Sequence, residues 1–184
     1  MSFNPLDKHI TRVMFSEETI QKRVRELGEQ ITEDYSGNSL VLVGILRGAR
    51  VFLSDLSRNI QVPHSWDMCG ASSYLGGTAS TGRVQITKDV EVDLRDRDVV
   101  VVEDIYDSGR TLRAICDLLR VHSPRSIEVC TFLYKHKVNR ANEVSVKYVG
   151  FEMEDEFIVG YGLDYNEYYR NLPYVGILDP SIYS

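Results

Sequence analysis

Residues 99–112 read VVVVEDIYDSGRTL. Four valines run into two adjacent carboxylates, Glu103 and Asp104. A short polar turn follows, carrying Asp107, Ser108, Gly109, Arg110 and Thr111. The apolar run has the pattern of a buried strand, and two carboxylates at its end are costly to keep dry unless something compensates them. The turn leads into a helical pattern. The first amides of a helix lack intrahelical partners and lie at the positive end of its dipole, which favours an anion there. Ser108 and Thr111 add hydroxyl donors, Gly109 permits close backbone approach, and Arg110 adds charge. The stretch therefore reads as a phosphate cup beside a carboxylate pair. The pair repels phosphate itself but suits sugar hydroxyls, or a divalent cation that also holds phosphates. A phosphorylated sugar satisfies both halves. The rival reading is a strand ending in two solvated acids ahead of a capped helix. Neither the G-x-x-x-x-G-K loop nor the dinucleotide fingerprint G-x-G-x-x-G is present.

The elements around this stretch alternate. Ser16 is placed to cap a helix with Glu17 and Glu18 in its first turn, and Ile20, Val24, Leu27 and Ile31 recur at helical spacing. Ser36-Gly37-Asn38 breaks it. Leu40 to Leu46 (LVLVGIL) is a short buried-strand pattern ended by Arg47-Gly48, and Val51 to Ile60 suits a helix before Pro63. His64 to Tyr74 is a weaker strand, Gly76 to Gly82 a polar glycine-containing loop, and Val84 to Val92 a hairpin arm. Thr111 to Val121 is helical in pattern. Ile127 to Tyr134, Lys147 to Phe151 and Phe157 to Tyr161 are further strands. Buried strands alternating with helices predict an α/β fold: a mostly parallel twisted sheet with helices on both faces. Residues 64–92 and the C-terminal segment fit the alternation poorly and are expected to form a smaller subdomain over one end of the sheet. In such sheets ligands sit outside the carboxyl ends of the strands, which is where Glu103 and Asp104 fall.

Length and composition narrow the classes. At 184 residues the chain is expected to form a single domain over 1–184. The 21 basic and 27 acidic residues leave a net charge of −6, which argues against a nonspecific nucleic-acid binder. Cys69, Cys116 and Cys130 are widely spaced with no C-x-x-C pair, so reduced thiols in a cytoplasmic protein are expected, not a zinc site or a disulfide framework. No run reaches the ~18 apolar residues of a membrane span, and residues 1–15 lack the apolar core of a signal peptide.

Residues 99–112 resemble the phosphoribosyl-pyrophosphate (PRPP) binding motif of the type I phosphoribosyltransferases: hydrophobics, two acids, a variable pair, Asp, Ser, Gly, one residue and Thr. Leu46-Arg47-Gly48-Ala49 resembles that family's pyrophosphate loop. Ser73-Tyr74 ahead of GGTASTG resembles its mobile active-site loop, and residues 157–170 (FIVGYGLDYNEYYR) its hypoxanthine-guanine C-terminal signature. The segments occur in the family's order over most of the chain. The resemblance implies a hood built from the N- and C-terminal segments. It implies transfer of the 5-phosphoribosyl group from PRPP to N9 of hypoxanthine or guanine, giving inosine or guanosine monophosphate and pyrophosphate. A xanthine-preferring transferase and a non-catalytic PRPP-sensing protein are the alternatives.

Carried over position by position, the resemblance puts Glu103 and Asp104 on the ribose hydroxyls, directly or through Mg2+. It puts residues 107–111 (Asp107, Ser108, Gly109, Arg110, Thr111) around the 5-phosphate. Asp107 would also bond N7 of the purine and act as general base; its bland role is capping the following helix. Arg47, Gly48 and Arg170 would hold pyrophosphate, and Asp164 would reach the magnesium with Glu103 and Asp104. Lys135 would take the purine O6, Phe157 would stack on the ring, and the backbone of Ile158 would read its edge. Ser73 and Tyr74 would close over the reacting centre. Relatives can carry a cis peptide in the pyrophosphate loop, before the glycine, and are dimers or tetramers. Arg47 and Arg110 stand where lysine is common; both keep the charge but change the donor geometry.

Overall fold

The computed structural model describes residues 4–73, 84–136 and 144–183. In chain order the elements are β1 (Ile10–Phe15), α1 (Glu17–Asp34), β2 (Leu40–Leu46), α2 (Ala49–Asn59), β3 (His64–Ser73) and β4 (Val84–Lys88). They continue with β5 (Asp98–Tyr106), α3 (Arg110–Val121), β6 (Ser126–Lys135), β7 (Tyr148–Met153), β8 (Ile158–Val159) and β9 (Val175–Leu178). The main sheet has the order β4-β3-β2-β5-β6-β7 and is parallel except for β4, which runs antiparallel to β3.

The valine and leucine runs follow from burial on both faces. Leu40, Leu42, Val100, Val102, Cys130 and Phe132 pack in one cluster with Ile20, Val24, Leu27 and Ile31 of α1 and Phe52 and Leu56 of α2. The alternate residues Val41, Val43, Val99, Val101 and Val129 pack with Leu112, Ile115, Cys116 and Leu119 of α3. A strand covered on both sides loses the polar alternation of a half-exposed one. Each fully buried aliphatic side chain stabilises by about 1.5–3 kcal/mol, whereas an uncompensated buried carboxylate costs several kcal/mol. The change from Val102 to Glu103 therefore interrupts the apolar run of β5, although Ile105 and Tyr106 beyond the two acids pack on the core again.

The connections fix where a ligand belongs. From β2 the chain crosses through α2 to β3 on one side; from β5 it crosses through α3 to β6 on the other. Crossovers of one hand that run in opposite directions put their helices on opposite faces. The carboxyl ends of the adjacent strands β2 and β5 thus form a topological switch point, with the N-termini of α2 and α3 above it.

Residues 64–92 depart from expectation. Their described strands lie in the main sheet, not in a smaller subdomain: β3 pairs with β2 over seven residues, from Leu40↔His64 to Leu46↔Gly70, and β4 closes the edge. Lying next to the edge, β3 has less of its length covered, so it lacks the apolar run of a central strand. The small second sheet, β1-β9-β8, joins residues 10–15 to the C-terminal strands. β1 and β9 leave no clear pattern in the sequence. They are short, their pairing is interrupted by two register shifts, and three of the six residues of β1 are exposed. Of residues 157–161, only Ile158 and Val159 form a strand. Ser16 caps α1 as expected, its Oγ accepting from the Thr19 amide at 3.3 Å.

At the far end of β5, Asp98 is 5% exposed. It accepts from Arg125 Nε at 2.9 Å and from the Ser126 hydroxyl at 2.7 Å, with a second bond from Arg125 Nη2. The Arg125 guanidinium holds this carboxyl below the usual carboxylate range. The folded chain binds this proton less tightly than the unfolded one. The contribution is therefore complete above the unfolded value of about 3.9 and is lost as pH falls through the lower folded value. Asp98→Asn is expected to lower stability at neutral pH by about 1 kcal/mol, a modest figure because Arg125 is half exposed. Urea unfolding of both proteins should show that gap closing at acid pH.

Among the described residues no helix is long and apolar enough to cross a membrane. The three cysteines are free and buried, and burial pushes the thiols up, to about 12 for Cys69 and about 11 for Cys116.

Candidate active site

Glu103 and Asp104 stand at the switch point, their carboxyls within hydrogen-bond reach of each other. Glu103 is buried, 7% exposed, and lines a pocket of about 200 Å³ with Asp107, Ser108, Gly109 and Thr111. Asp104 accepts from the Ile105 amide at 3.0 Å. Burial raises the Glu103 carboxyl well above its usual range, and the Asp104 charge adds to this. Burial raises Asp104 as well, opposed first by the hydrogen bond with Glu103 and least by the Arg170 charge. The pair is thus short of positive charge, which a dication or hydroxyl donors would supply.

Asp104 packs on the loop after β2. A β-carbon built on Gly48 would lie 1.5 Å from Asp104 Oδ2. Gly48 has ordinary helical dihedrals, φ −67° and ψ −42°, so this position requires glycine for space, not for backbone conformation. The Leu46–Arg47 peptide ahead of it is cis, one bond earlier than Arg47–Gly48.

Two helices start here, and neither carries a side-chain cap. Gly48 precedes α2 and Gly109, at φ 75°, precedes α3, and a glycine has no side chain with which to cap its helix. Gly109 is the residue that can hold the left-handed conformation cheaply. It occupies the cap position of α3, so Asp107 is not that cap. By contrast, α1 is capped by Ser16. The amides left at the starts of α2 and α3 are suited to anions, one on each side of the acid pair. Arg110 is exposed on the first turn of α3.

The C-terminal segment adds cations to the Gly48 side. Arg47 Nη1 donates to Glu167 Oε2 at 3.0 Å, and Arg170 Nη2 reaches the same oxygen at 3.3 Å. Arg170 also pairs with Asp164 Oδ1 at 2.8 Å and donates from Nη1 to the Gly162 carbonyl at 2.7 Å. A concavity of about 580 Å³ adjoins this loop, lined by Leu46, Arg47, Arg50, Ala71, Ser72 and Thr87. Ser73 ends β3 beside it and pairs with Val84; Tyr74 and residues 75–83 lie outside the described residues. A separate concavity of about 420 Å³ between α2 and β3 includes Leu53, Trp66 and Met68. It holds none of the acids or glycines of the switch point.

The residues assigned to the purine lie at the same end of the sheet. Tyr106 of β5 pairs with Tyr134 of β6, so Asp107 and Lys135 each follow one member of a paired position. Lys135 is largely buried, its side chain 12% exposed, and its Nζ meets Asp155 Oδ1 at 2.6 Å. Two residues further, Phe157 is 40% exposed and stacks on Tyr183, with centroids 4.5 Å apart and planes at 25°; Tyr165 stands edge-on at 5.8 Å. Ile158 is buried and pairs with Ile177. Tyr161 ties this segment to α2 by donating to Asp55 Oδ2 at 2.8 Å.

The acids do not form a three-carboxylate cage: among the described residues no group of three or more His, Cys, Asp or Glu could hold a metal ion. Glu103 and Asp104 suit magnesium in another way. It takes oxygen ligands, commonly one or two carboxylates completed by water and substrate phosphates, and both carboxyls are raised by burial.

Three contacts have no counterpart in the sequence patterns. They are the seat of Gly48 on Asp104, the Glu167 bridge between two arginines, and the Phe157–Tyr183 stack. Each joins residues distant in sequence, and no local pattern signals such a meeting.

Comparison with known proteins gives a consistent set of likenesses. The phosphoribosyl transferase domain matches residues 15–166. A hypoxanthine-guanine phosphoribosyltransferase of Staphylococcus aureus is 48% identical over 175 residues, covering 95% of this chain and 97% of the relative. A hypoxanthine phosphoribosyltransferase of Salmonella typhimurium is 50% identical over 171 residues, covering 92% and 96%. A crystal structure of a hypoxanthine phosphoribosyltransferase from Staphylococcus aureus superposes with a TM-score of 0.93 at 46% identity, covering 100% of both chains.

Proposed function

The chain belongs to the phosphoribosyl transferase family, and on that premise we propose that it is a purine salvage enzyme moving the 5-phosphoribosyl group of PRPP to N9 of hypoxanthine or guanine. The bond from C1 of the ribose to the pyrophosphate oxygen breaks, the N9–C1 bond forms, and the purine gives up one proton. The observation that carries this reading is the pair of glycine-started helices flanking two acids at one switch point. One substrate with a monophosphate at one end, a diphosphate at the other and hydroxyls between them matches that order.

Each residue then has a task. The amides and hydroxyls of residues 108–111 hold the 5-phosphate. Glu103 and Asp104 hold the ribose hydroxyls and would hold magnesium on the ribose side, and Asp164 would reach magnesium on the pyrophosphate side; the chemistry of the ion is to neutralise charge on the diphosphate. Arg47, the Gly48 amide and Arg170 orient the leaving pyrophosphate; arginine suits such oxygens through its planar fork. Positive charge growing at C1 is stabilised by the fixed acids beside it, so catalysis is mainly positioning and electrostatics. Asp107 bonds N7 and takes the purine proton. Lys135 favours an exocyclic oxygen at C6 over an amino group, Phe157 stacks on the ring, and the Ile158 backbone reads its edge. Ser73 and Tyr74 exclude water. We also infer assembly as a homodimer or homotetramer, a cytoplasmic location in keeping with three free cysteines, and no nucleic-acid or membrane partner.

The test is direct. Purified protein with Mg2+, PRPP and an equimolar mixture of hypoxanthine, guanine and xanthine is expected to yield inosine and guanosine monophosphates, and chelation of magnesium is expected to abolish them. Xanthosine monophosphate as the main product would favour the xanthine-preferring reading. PRPP bound without any nucleotide formed would leave a sensor, not an enzyme.

A further inference from the structure

Glu167 has no task in the reaction as derived, yet it occupies the cations assigned to pyrophosphate. Its Oε2 accepts from Arg47 at 3.0 Å and from Arg170 at 3.3 Å. Its backbone amide donates to Asp164 Oδ2 at 2.9 Å, while the other Asp164 oxygen pairs with Arg170 at 2.8 Å. Asn166 and Glu167 both have left-handed dihedrals, with φ of 51° and 68°. Non-glycine residues seldom adopt these, so the turn holds Glu167 at a backbone cost. One carboxylate oxygen shared by two arginines reproduces the demand that a pyrophosphate oxygen would make on them.

Resting on the pyrophosphate assignment above, we propose that Glu167 is a positioning residue and internal placeholder: it keeps Arg47 and Arg170 aligned, and pyrophosphate, whether free or within PRPP, must displace it. The link is built to yield. The Arg47 and Glu167 side chains are 70% and 63% exposed, so solvent screens the pair and it is weak. A polyanion with magnesium outcompetes one carboxylate, and the carboxylate returning to the arginines assists departure of the product. The consequence is a lowered affinity for pyrophosphate.

That consequence has a sign opposite to a merely supporting role. Glu167→Gln keeps size and backbone demands but removes the charge. Titration calorimetry with magnesium pyrophosphate is expected to show binding about three- to tenfold tighter in the variant, with product inhibition by pyrophosphate tightening in step and the gap narrowing in high salt. Glu167→Ala should behave alike. A double-mutant cycle separates competition from a general field effect: in the Arg47→Ala, Arg170→Ala background the gain should vanish. Unchanged or weaker binding in Glu167→Gln would overturn the placeholder, as would a gain that persists undiminished without the arginines. If Arg47→Ala and Arg170→Ala themselves leave pyrophosphate binding intact, the pyrophosphate assignment fails, and the placeholder falls with it.

Discussion

Replacing Asp107 with asparagine is expected to lower kcat by about 10²–10⁴-fold, the range typical of losing a positioned general base, with PRPP affinity nearly unchanged. Asparagine has the shape of aspartate and can still bond N7, but it cannot take the purine proton. The cap position of α3 belongs to Gly109 and the helix core is supplied by Leu112, Ile115, Cys116 and Leu119, so the isosteric variant is expected to keep the helix. Single-turnover rates and PRPP titration on the same preparation check the split. An equal loss in both would make Asp107 part of the cup's framework and leave the base unassigned.

The second large effect is expected at Gly48, where no side chain exists to remove. Alanine is conformationally welcome at φ −67° and ψ −42°, yet its methyl carbon would fall 1.5 Å from Asp104 Oδ2. The carboxylate, the loop or both must move. Asp104 is one half of the acid pair, and the Gly48 amide starts α2, so one methyl group disturbs the ribose and pyrophosphate positions together. A misplacement of ~1 Å commonly costs ~10²-fold in reactivity. Accordingly kcat/KM for PRPP should fall at least about 10²-fold, while stability falls by only about 1–3 kcal/mol, as for other overpacked sites. Steady-state kinetics and thermal unfolding in parallel check this. Near wild-type kcat/KM in Gly48→Ala would mean that the contact between the two loops has no part in catalysis.

The contrast between these two positions shows what the sequence makes legible. Asp107 sits inside a local pattern: an apolar run, two acids and a polar turn into a helix, each with its own physical signature. The runs at β2 and β5 and the periodic Ile20, Val24, Leu27 and Ile31 of α1 are legible for the same reason, since burial on a given face imposes a period. All four α1 residues are fully buried. The match of residues 99–112 to a known motif then adds roles that periodicity does not contain. Gly48 is different. Its pattern marks the end of a strand, but its purpose lies in a side chain on another strand. β3 is less legible still, because a strand near an edge lacks a continuous apolar run, and its membership of the sheet is a matter of pairing with β2. β1 and β9 pair opposite ends of the chain over a few residues. Glu167 looks like one more solvated acid until Arg47, far away in sequence, is found against it.

These features converge on one physical claim: the starts of α2 and α3 hold two phosphate groups of one substrate, on either side of Glu103 and Asp104. A crystal structure of the protein with inosine monophosphate, Mg2+ and pyrophosphate tests this most directly. The account predicts the monophosphate on the amides and hydroxyls of residues 108–111 and the pyrophosphate on the Gly48 amide with Arg47 and Arg170, Glu167 having swung away. A monophosphate bound elsewhere, with residues 108–111 making no contact to it, would contradict the account.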